Sequence, residues 1–210
     1  MIQEFDPESV VKSVLNQKIE VPPHIKVKYT KSDAEWWEKL WEQLELKEAT
    51  EMSARKIASF HDPEDHHFWE SLTNSTQQEQ LAFHISQVIH QALAAFVLQW
   101  EKKSIGLITL FPSRERIYEL KYLFISPHHR NKGFGSALLL TVCSALTQLN
   151  PNDSISITLS LSKHYQGTHI VEYLPFDLHS ETSEMVCYHY RYFVLPKTLG
   201  QTVKELRERN

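Results

Sequence analysis

The sequence predicts an α+β fold, a mixed sheet with helices packed against it. Three observations carry this expectation. Residues 154–162 alternate polar and apolar residues without error, the period of a half-buried strand. From Ala95 the pattern changes from helical to extended and stays extended through three successive runs, which read as a meander. Between these two regions, Ser136 to about Leu149 places Leu138, Val142, Ala145 and Leu149 on one helical face. Strand runs and helices thus share one chain, and the lack of any internal repeat removes solenoids and propellers.

Taken in order, residues 1–23 read as a polar appendage with a short helix from Asp6-Pro7-Glu8 through Leu15, because proline suits the first helical position. His24 to Thr30 alternates Ile25, Val27 and Tyr29 against two lysines, a strand pattern. Ser32-Asp33-Ala34-Glu35 is a capping box, and Trp37, Leu40, Trp41 and Leu44 follow at helical spacing. Trp37 and Trp41 are expected as core anchors, with substrate stacking as the alternative. Ile57 and Phe60 sit on a short helix. The run from His61 to His67 holds three histidines and three carboxylates, but Pro63 disturbs any regular ligand spacing, so a solvated loop is expected there and no metal site. Thr76-Gln77-Gln78-Glu79 caps a helix carrying Leu81, Ile85, Val88 and Ala92. Ala95–Glu101 and Ile105–Phe111 then form a hairpin through Lys102-Lys103-Ser104, and Ile117–Ser126 is the third strand of the meander. After the helix and the 154–162 strand, a short helix and a last strand over Met185–Val194 complete the domain.

Composition narrows the function classes. With 22 Lys+Arg against 26 Asp+Glu and a formal charge of -4, the chain has no basic surplus for neutralising phosphates, so no nucleic-acid partner is expected. No apolar run approaches the ~20 residues of a membrane helix, so no membrane partner is expected either. The two cysteines, Cys143 and Cys187, lack finger or redox spacing, and the first residues lack the basic start and apolar run of a secretory signal. A cytoplasmic location is therefore expected, and a homodimer is allowed.

One segment carries chemistry. Two of the five glycines stand two apart in Arg130-Asn131-Lys132-Gly133-Phe134-Gly135, between a strong strand and a strong helix. Such a turn leaves the first amides of the helix without intrahelical partners, and the helix dipole places about half a positive charge there. Arg130 and Lys132 add two formal charges, and the glycines let backbone approach a diphosphate. Without further context, a turn that binds nothing is the alternative.

The run from Glu119 through Leu138 resembles the acyl-CoA-binding motif of the GNAT superfamily of N-acetyltransferases: a strand, a residue pair ending in Pro127, then Arg130, two variable residues, Gly133, one more, and Gly135 opening a helix. The dense match covers 20 residues, and the order of elements from His24 to about Phe193 is similar to that fold. The resemblance implies a GNAT-like, mostly antiparallel mixed sheet over residues 24–200, with 31–93 as an elaborated helical region and 201–210 as a polar tail. It implies acetyl-CoA as co-substrate, no metal, and direct attack of an amine on the thioester. By the same resemblance Phe124, Ile125 and Pro127 line pantetheine, with N–H donation from Phe124 and Ile125 only, while Arg130, Asn131, Lys132, Gly133, Phe134, Gly135 and Ser136 hold the diphosphate. The strand at 154–162 is expected to lie beside the motif strand and to splay from it.

Glu119 stands eleven residues before Arg130, where many GNAT members carry a catalytic glutamate, and is expected to be the base, on one strand face with Lys121, Leu123 and Ile125. An exposed Glu119–Lys121 pair is the structural alternative. The usual tyrosine acid is missing: aligning at Phe176 puts His164, Gly167, Val171 and Pro175 at the positions of the family's Asn, Ala, Tyr and Gly. Tyr165 and Tyr173 are the nearby candidates for the acid. This vacancy motivates an alternative function, a catalytically weak or inactive acyl-CoA-binding regulatory module. Cys143 is expected as a buried small hydrophobe and not a nucleophile. The resemblance implies a small-molecule or peptide amine as acceptor, and Trp36, Trp37, Trp69 and the acids from Asp62 to Asp65 are expected to wall its site.

Overall fold

The computed structural model describes residues 6–20, 22, 39–60, 77–114, 117–149, 156–162, 170–171, 174–183 and 185–190. The first element, α1 (Pro7–Leu15), starts as its sequence predicts: Asp6 caps it, accepting from the Ser9 amide at 3.1 Å, with Pro7 in the first turn. It is more than a polar lead. Val10 and Val14 are fully buried in the main core cluster, and Ser13 Oγ donates to Ala145 O at 3.3 Å. The strand expected at 24–30 and the capping box at Ser32–Glu35 lie outside the described residues.

Residues 39–42 are helical, but Leu44 does not continue that helix. It opens β1 (Leu44–Glu48), which pairs antiparallel with β2 (Ala94–Trp100). Leu-Glu-Leu-Lys-Glu is made of good helix formers, so cross-strand pairing with β2 overrides propensity here. Next come α2 (Glu51–Ala58), capped reciprocally by Thr50 and Ser53, and α3 (Gln78–Gln91). The cap of α3 differs from expectation: the boundary residue is Gln77, and its side chain makes no capping bond.

The hairpin of β2 and β3 (Lys103–Arg114) turns at Glu101-Lys102, one residue earlier than expected. Both residues have positive φ, 48° and 63°, as a tight two-residue hairpin turn requires. β4 (Ile117–Ile125), a 3-10 turn (Pro127–His129), α4 (Phe134–Leu149) and β5 (Ser156–Ser162) follow. The sheet is completed by β6 (Phe176–Glu181), which the sequence reading missed, and β7 (Met185–Tyr190). The strand order is β1-β2-β3-β4-β5-β7-β6, and β4–β5 is the one parallel pair among these seven.

Helices cover both faces of the sheet. On one face α1 and α4 bury Val10, Val14, Leu138 and Val142 against Phe96, Ile108, Leu120 and Leu159. On the other, α2 and α3 bury Ile57, Leu81 and Ile85 against Val97, Leu107 and Phe124. Each large side chain so buried contributes roughly 1.5–3 kcal/mol.

Candidate acyl-CoA site

The site is set by two irregularities in β4. The first is a bulge: Leu107 pairs with Phe124 and Thr109 with Lys121, so β4 has one residue more than β3 over this stretch, and Tyr122 has φ of 49°. An extra residue reverses the alternation. Tyr118 and Leu120 face the α1/α4 cluster before the bulge and Leu123 and Ile125 face it afterwards, whereas Phe124, with Tyr122 packed nearby, joins the α2/α3 cluster. Glu119 and Lys121 therefore lie on the α2/α3 face and do not share a face with Leu123 and Ile125. This corrects the expectation from unbroken alternation.

The second irregularity is a splay. β4 pairs with β5 only from Ile117↔Ser156 to Leu120↔Leu159, while β4 runs on to Ile125 and β5 runs on to Ser162, paired there only with β7 on its other edge. Beyond Leu120 the two strands part, as expected for the motif strand and its neighbour. Ser126 N donates to Ile105 O at 2.8 Å, so by the two-residue period the backbone polar groups of Phe124 also face β3 and those of Ile125 face the opening. Of the two expected amide donors, Ile125 is the one whose N–H faces the opening. Its carbonyl accepts from Arg130 Nε at 2.9 Å.

The turn after β4 is built from local chemistry. Asn131 and Gly133 have φ of 60° and 85°, and Gly133 O accepts from Ala137 N as α4 begins. The first-turn amides of α4 have no intrahelical acceptor. Lys132 Nζ caps His128 O at 2.8 Å, and the Arg130 guanidinium lies 5.9 Å from the Phe124 ring centre, so both cations are tied to the turn. Phe134 turns inward, fully buried, with its ring 5.2 Å from Trp41 in an edge contact. Trp41 is thus a core residue. A Cβ at Gly135 would come within 2.8 Å of Ile170 Cδ1, so the missing side chain makes room for the segment at 170. Ser136 is buried.

Sequence reasoning missed the pair under this turn. Ser126 Oγ and His129 Nδ1 are 2.6 Å apart, and the imidazole is flanked by Trp100 and Phe134. Burial holds the His129 imidazole below its ordinary value, and the charges of Lys132 and His128 push the same way.

Glu119 is held at both oxygens. Ser160 Oγ donates to Oε1 at 2.5 Å and Lys121 Nζ approaches Oε2 at 2.9 Å; the Glu119 side chain is 21% exposed. Ser160 was not singled out from the sequence, although alternation in the 154–162 run already placed its hydroxyls on one face. Cys143 is fully buried in α4, and burial pushes its thiol up, as expected of an inert residue. Val171, at the usual tyrosine position, is buried in the core. Tyr165, Tyr173, His164 and Gly167 lie outside the described residues, as do Trp36, Trp37, Trp69 and the 61–67 run. Among the described residues no cluster of three or more metal-ligating side chains occurs, and no helix is long and apolar enough to cross a membrane.

A sheet parted beside a glycine turn and a helix N-terminus defines the site, and the family comparison places the fold that carries it. The model of the acetyltransferase (GNAT) family matches residues 34–159, well over half of the chain. The protein belongs to that family and is an acyltransferase of the GNAT type. No curated protein sequence matches it significantly. Among solved structures, the PaiA N-acetyltransferase of Thermoplasma acidophilum in complex with coenzyme A is similar with a TM-score of 0.54 and 15% identity, over 71% of this chain and 99% of that one. RimL, a ribosomal L7/L12 alpha-N-protein acetyltransferase, gives 0.57 and 13% over 71% and 91%. Variant forms of the spermidine/spermine N-acetyltransferase SpeG from Vibrio cholerae give 0.51 and 20% over 70% and 93%. At these identities the likeness is one of fold.

Proposed function

We propose that the protein moves an acetyl group directly from acetyl-CoA to an amine. The observation that carries this reading is the parting of β4 and β5 after Leu120, with the turn at Gly133 and the α4 N-terminus at its end. The chain offers what such a co-substrate needs. The open backbone edge at Ile125 would bind the amide-bearing pantetheine arm, and Pro127 would line it without donating. The first amides of α4, from Phe134 to Ser136, would hold the diphosphate together with Gly133 and the charges of Arg130 and Lys132. Asn131, exposed and already left-handed, shapes the turn. Acetyl-CoA supplies a thioester carbonyl and a weakly basic thiolate as leaving group.

Glu119 is the proposed base. Its side chain is partly buried on the seam of β4 and β5, where Ser160 and Lys121 fix both oxygens, yet each oxygen keeps a lone pair for a further proton donor. Tyr165 and Tyr173 remain the proposed acids. PaiA, RimL and SpeG are N-acetyltransferases by name, and this supports an amine or peptide amine as acceptor without choosing between them. The test is release of CoA from acetyl-CoA across a panel of small amines and peptides. Acetyl-CoA binding with no release for any amine would favour a binding module instead.

A further inference from the structure

Ser160 is the first β5 residue beyond the last β4–β5 pair, Leu120↔Leu159, so its hydroxyl stands where the strands part. Glu119 is recessed behind it: it pairs with Thr158, inside the paired stretch. Ile157, Leu159 and Leu161 point into the α1/α4 cluster, which leaves Thr158 and Ser160 on the opposite face, the one Glu119 and Lys121 occupy. The single Ser160 proton is committed to Glu119 Oε1. A hydroxyl has two further acceptor sites, and among the described residues no donor reaches Ser160 Oγ. Lys121 meanwhile occupies the other carboxylate oxygen.

We infer that Ser160 is the group that meets the acceptor amine and relays its proton to Glu119. The inference rests on the acetyl-transfer reading above. As the acceptor nitrogen bonds to the acetyl carbonyl carbon, its N–H bond breaks and that proton goes to Ser160 Oγ. The proton already on Ser160 goes to Glu119 Oε1, which ends neutral, and the electron pair of the broken C–S bond leaves on sulfur as thiolate. Serine is unchanged at the end, and no other reactant is needed. In this scheme the short Ser160–Glu119 bond is the second half of the proton path. A water between amine and Glu119 becomes unnecessary.

The test compares Ser160→Ala, Ser160→Thr, Glu119→Gln and the double variant Ser160→Ala/Glu119→Gln in full-length protein. Ser160→Ala should lower kcat about 10- to 100-fold, a part of the usual worth of a positioned base. Its acetyl-CoA-induced melting shift and its KM for acetyl-CoA should match wild type. Ser160→Thr keeps a hydroxyl and should restore most of kcat. The double variant should be no slower than Glu119→Gln, because the two residues serve one proton path. In ligand-free protein, the infrared carboxylate stretch lost in Glu119→Gln should move in Ser160→Ala and stay in Ser160→Thr. Wild-type kcat in Ser160→Ala together with a slow Glu119→Gln overturns the relay and leaves Glu119 as base. Equal losses in Ser160→Ala and Ser160→Thr, or additive losses in the double variant, also overturn it. Acetyl-CoA binding without turnover on any amine overturns the acetyl-transfer reading, and the relay with it.

Discussion

Replacing Gly133 tests the turn at its tightest point. Gly133 has φ of 85°, in the left-handed region, immediately before α4. An L-residue there costs roughly 1–2 kcal/mol, and a β-branched side chain is the least tolerated. Gly133→Ala should therefore lose about 1 kcal/mol and Gly133→Val about 2. For a chain of 210 residues each kcal/mol is worth roughly 2–4 °C, so Tm should fall by about 2–4 °C in the first and about 4–8 °C in the second. The ligand effect is separate. Acetyl-CoA at 100 times its Kd stabilises wild type by about 2.7 kcal/mol through mass action, a rise of roughly 5–10 °C by the same conversion. In Gly133→Val the branched side chain stands between the diphosphate and the first amides of α4, and this rise should disappear. Differential scanning calorimetry with and without acetyl-CoA reads both effects. A Gly133→Val protein that melts like wild type would show that the left-handed turn is not needed. One that keeps the full acetyl-CoA shift would show that the diphosphate rests elsewhere.

Further outcomes follow from other residues. Glu119→Gln should keep acetyl-CoA affinity, read by the same melting shift, while turnover falls roughly 10²–10⁴-fold; turnover within a factor of two of wild type between pH 6 and 9 would make Glu119 structural. Because the folded state holds His129 below its ordinary 6.5, the unfolded chain binds more protons there, so its contribution to stability is complete above about 6.5 and is lost as pH falls from 6.5 through the folded value. Urea unfolding at pH 7.5 and 5.5 should show a smaller acid loss in His129→Gln than in wild type, and equal losses would refute the assignment. Leu138→Ala, which removes a fully buried side chain between α4 and the sheet, should cost about 2–5 kcal/mol in the same assay. A thiol reagent at pH 8 should modify Cys187, which is half-buried, long before Cys143, and unfolding should release the second thiol; rapid native labelling of Cys143 would contradict its burial.

The amino-acid sequence alone determined the features whose cause is local. The β5 run alternates in register with its own pleat, α4 carries a helical apolar stripe, α1 begins at an Asp-Pro cap, and the glycines of the Arg130–Gly135 turn mark the lead into α4. Each of these depends on residues within one or two turns of one another. Tertiary structure decided the features that depend on what lies alongside. Leu44–Glu48 has the propensity of a helix and becomes a strand because β2 offers it an unpaired edge. β6 alternates only over Phe176-Asp177-Leu178-His179 before turning wholly polar, too short a pattern to mark a strand by itself, and pairing with β7 makes it one. The bulge at Tyr122 is a mismatch of one residue between β3 and β4, and no property of either strand by itself counts the other. That one residue moves Glu119 to the face opposite Leu123 and Ile125. The parting of β4 and β5 after Leu120 then leaves the Ser160 hydroxyl at its mouth, hydrogen-bonded to a carboxylate 41 residues away in sequence. Side-chain periodicity fixes which residues of a strand face together, but register between strands fixes which residues of different strands meet, and only the folded sheet sets register.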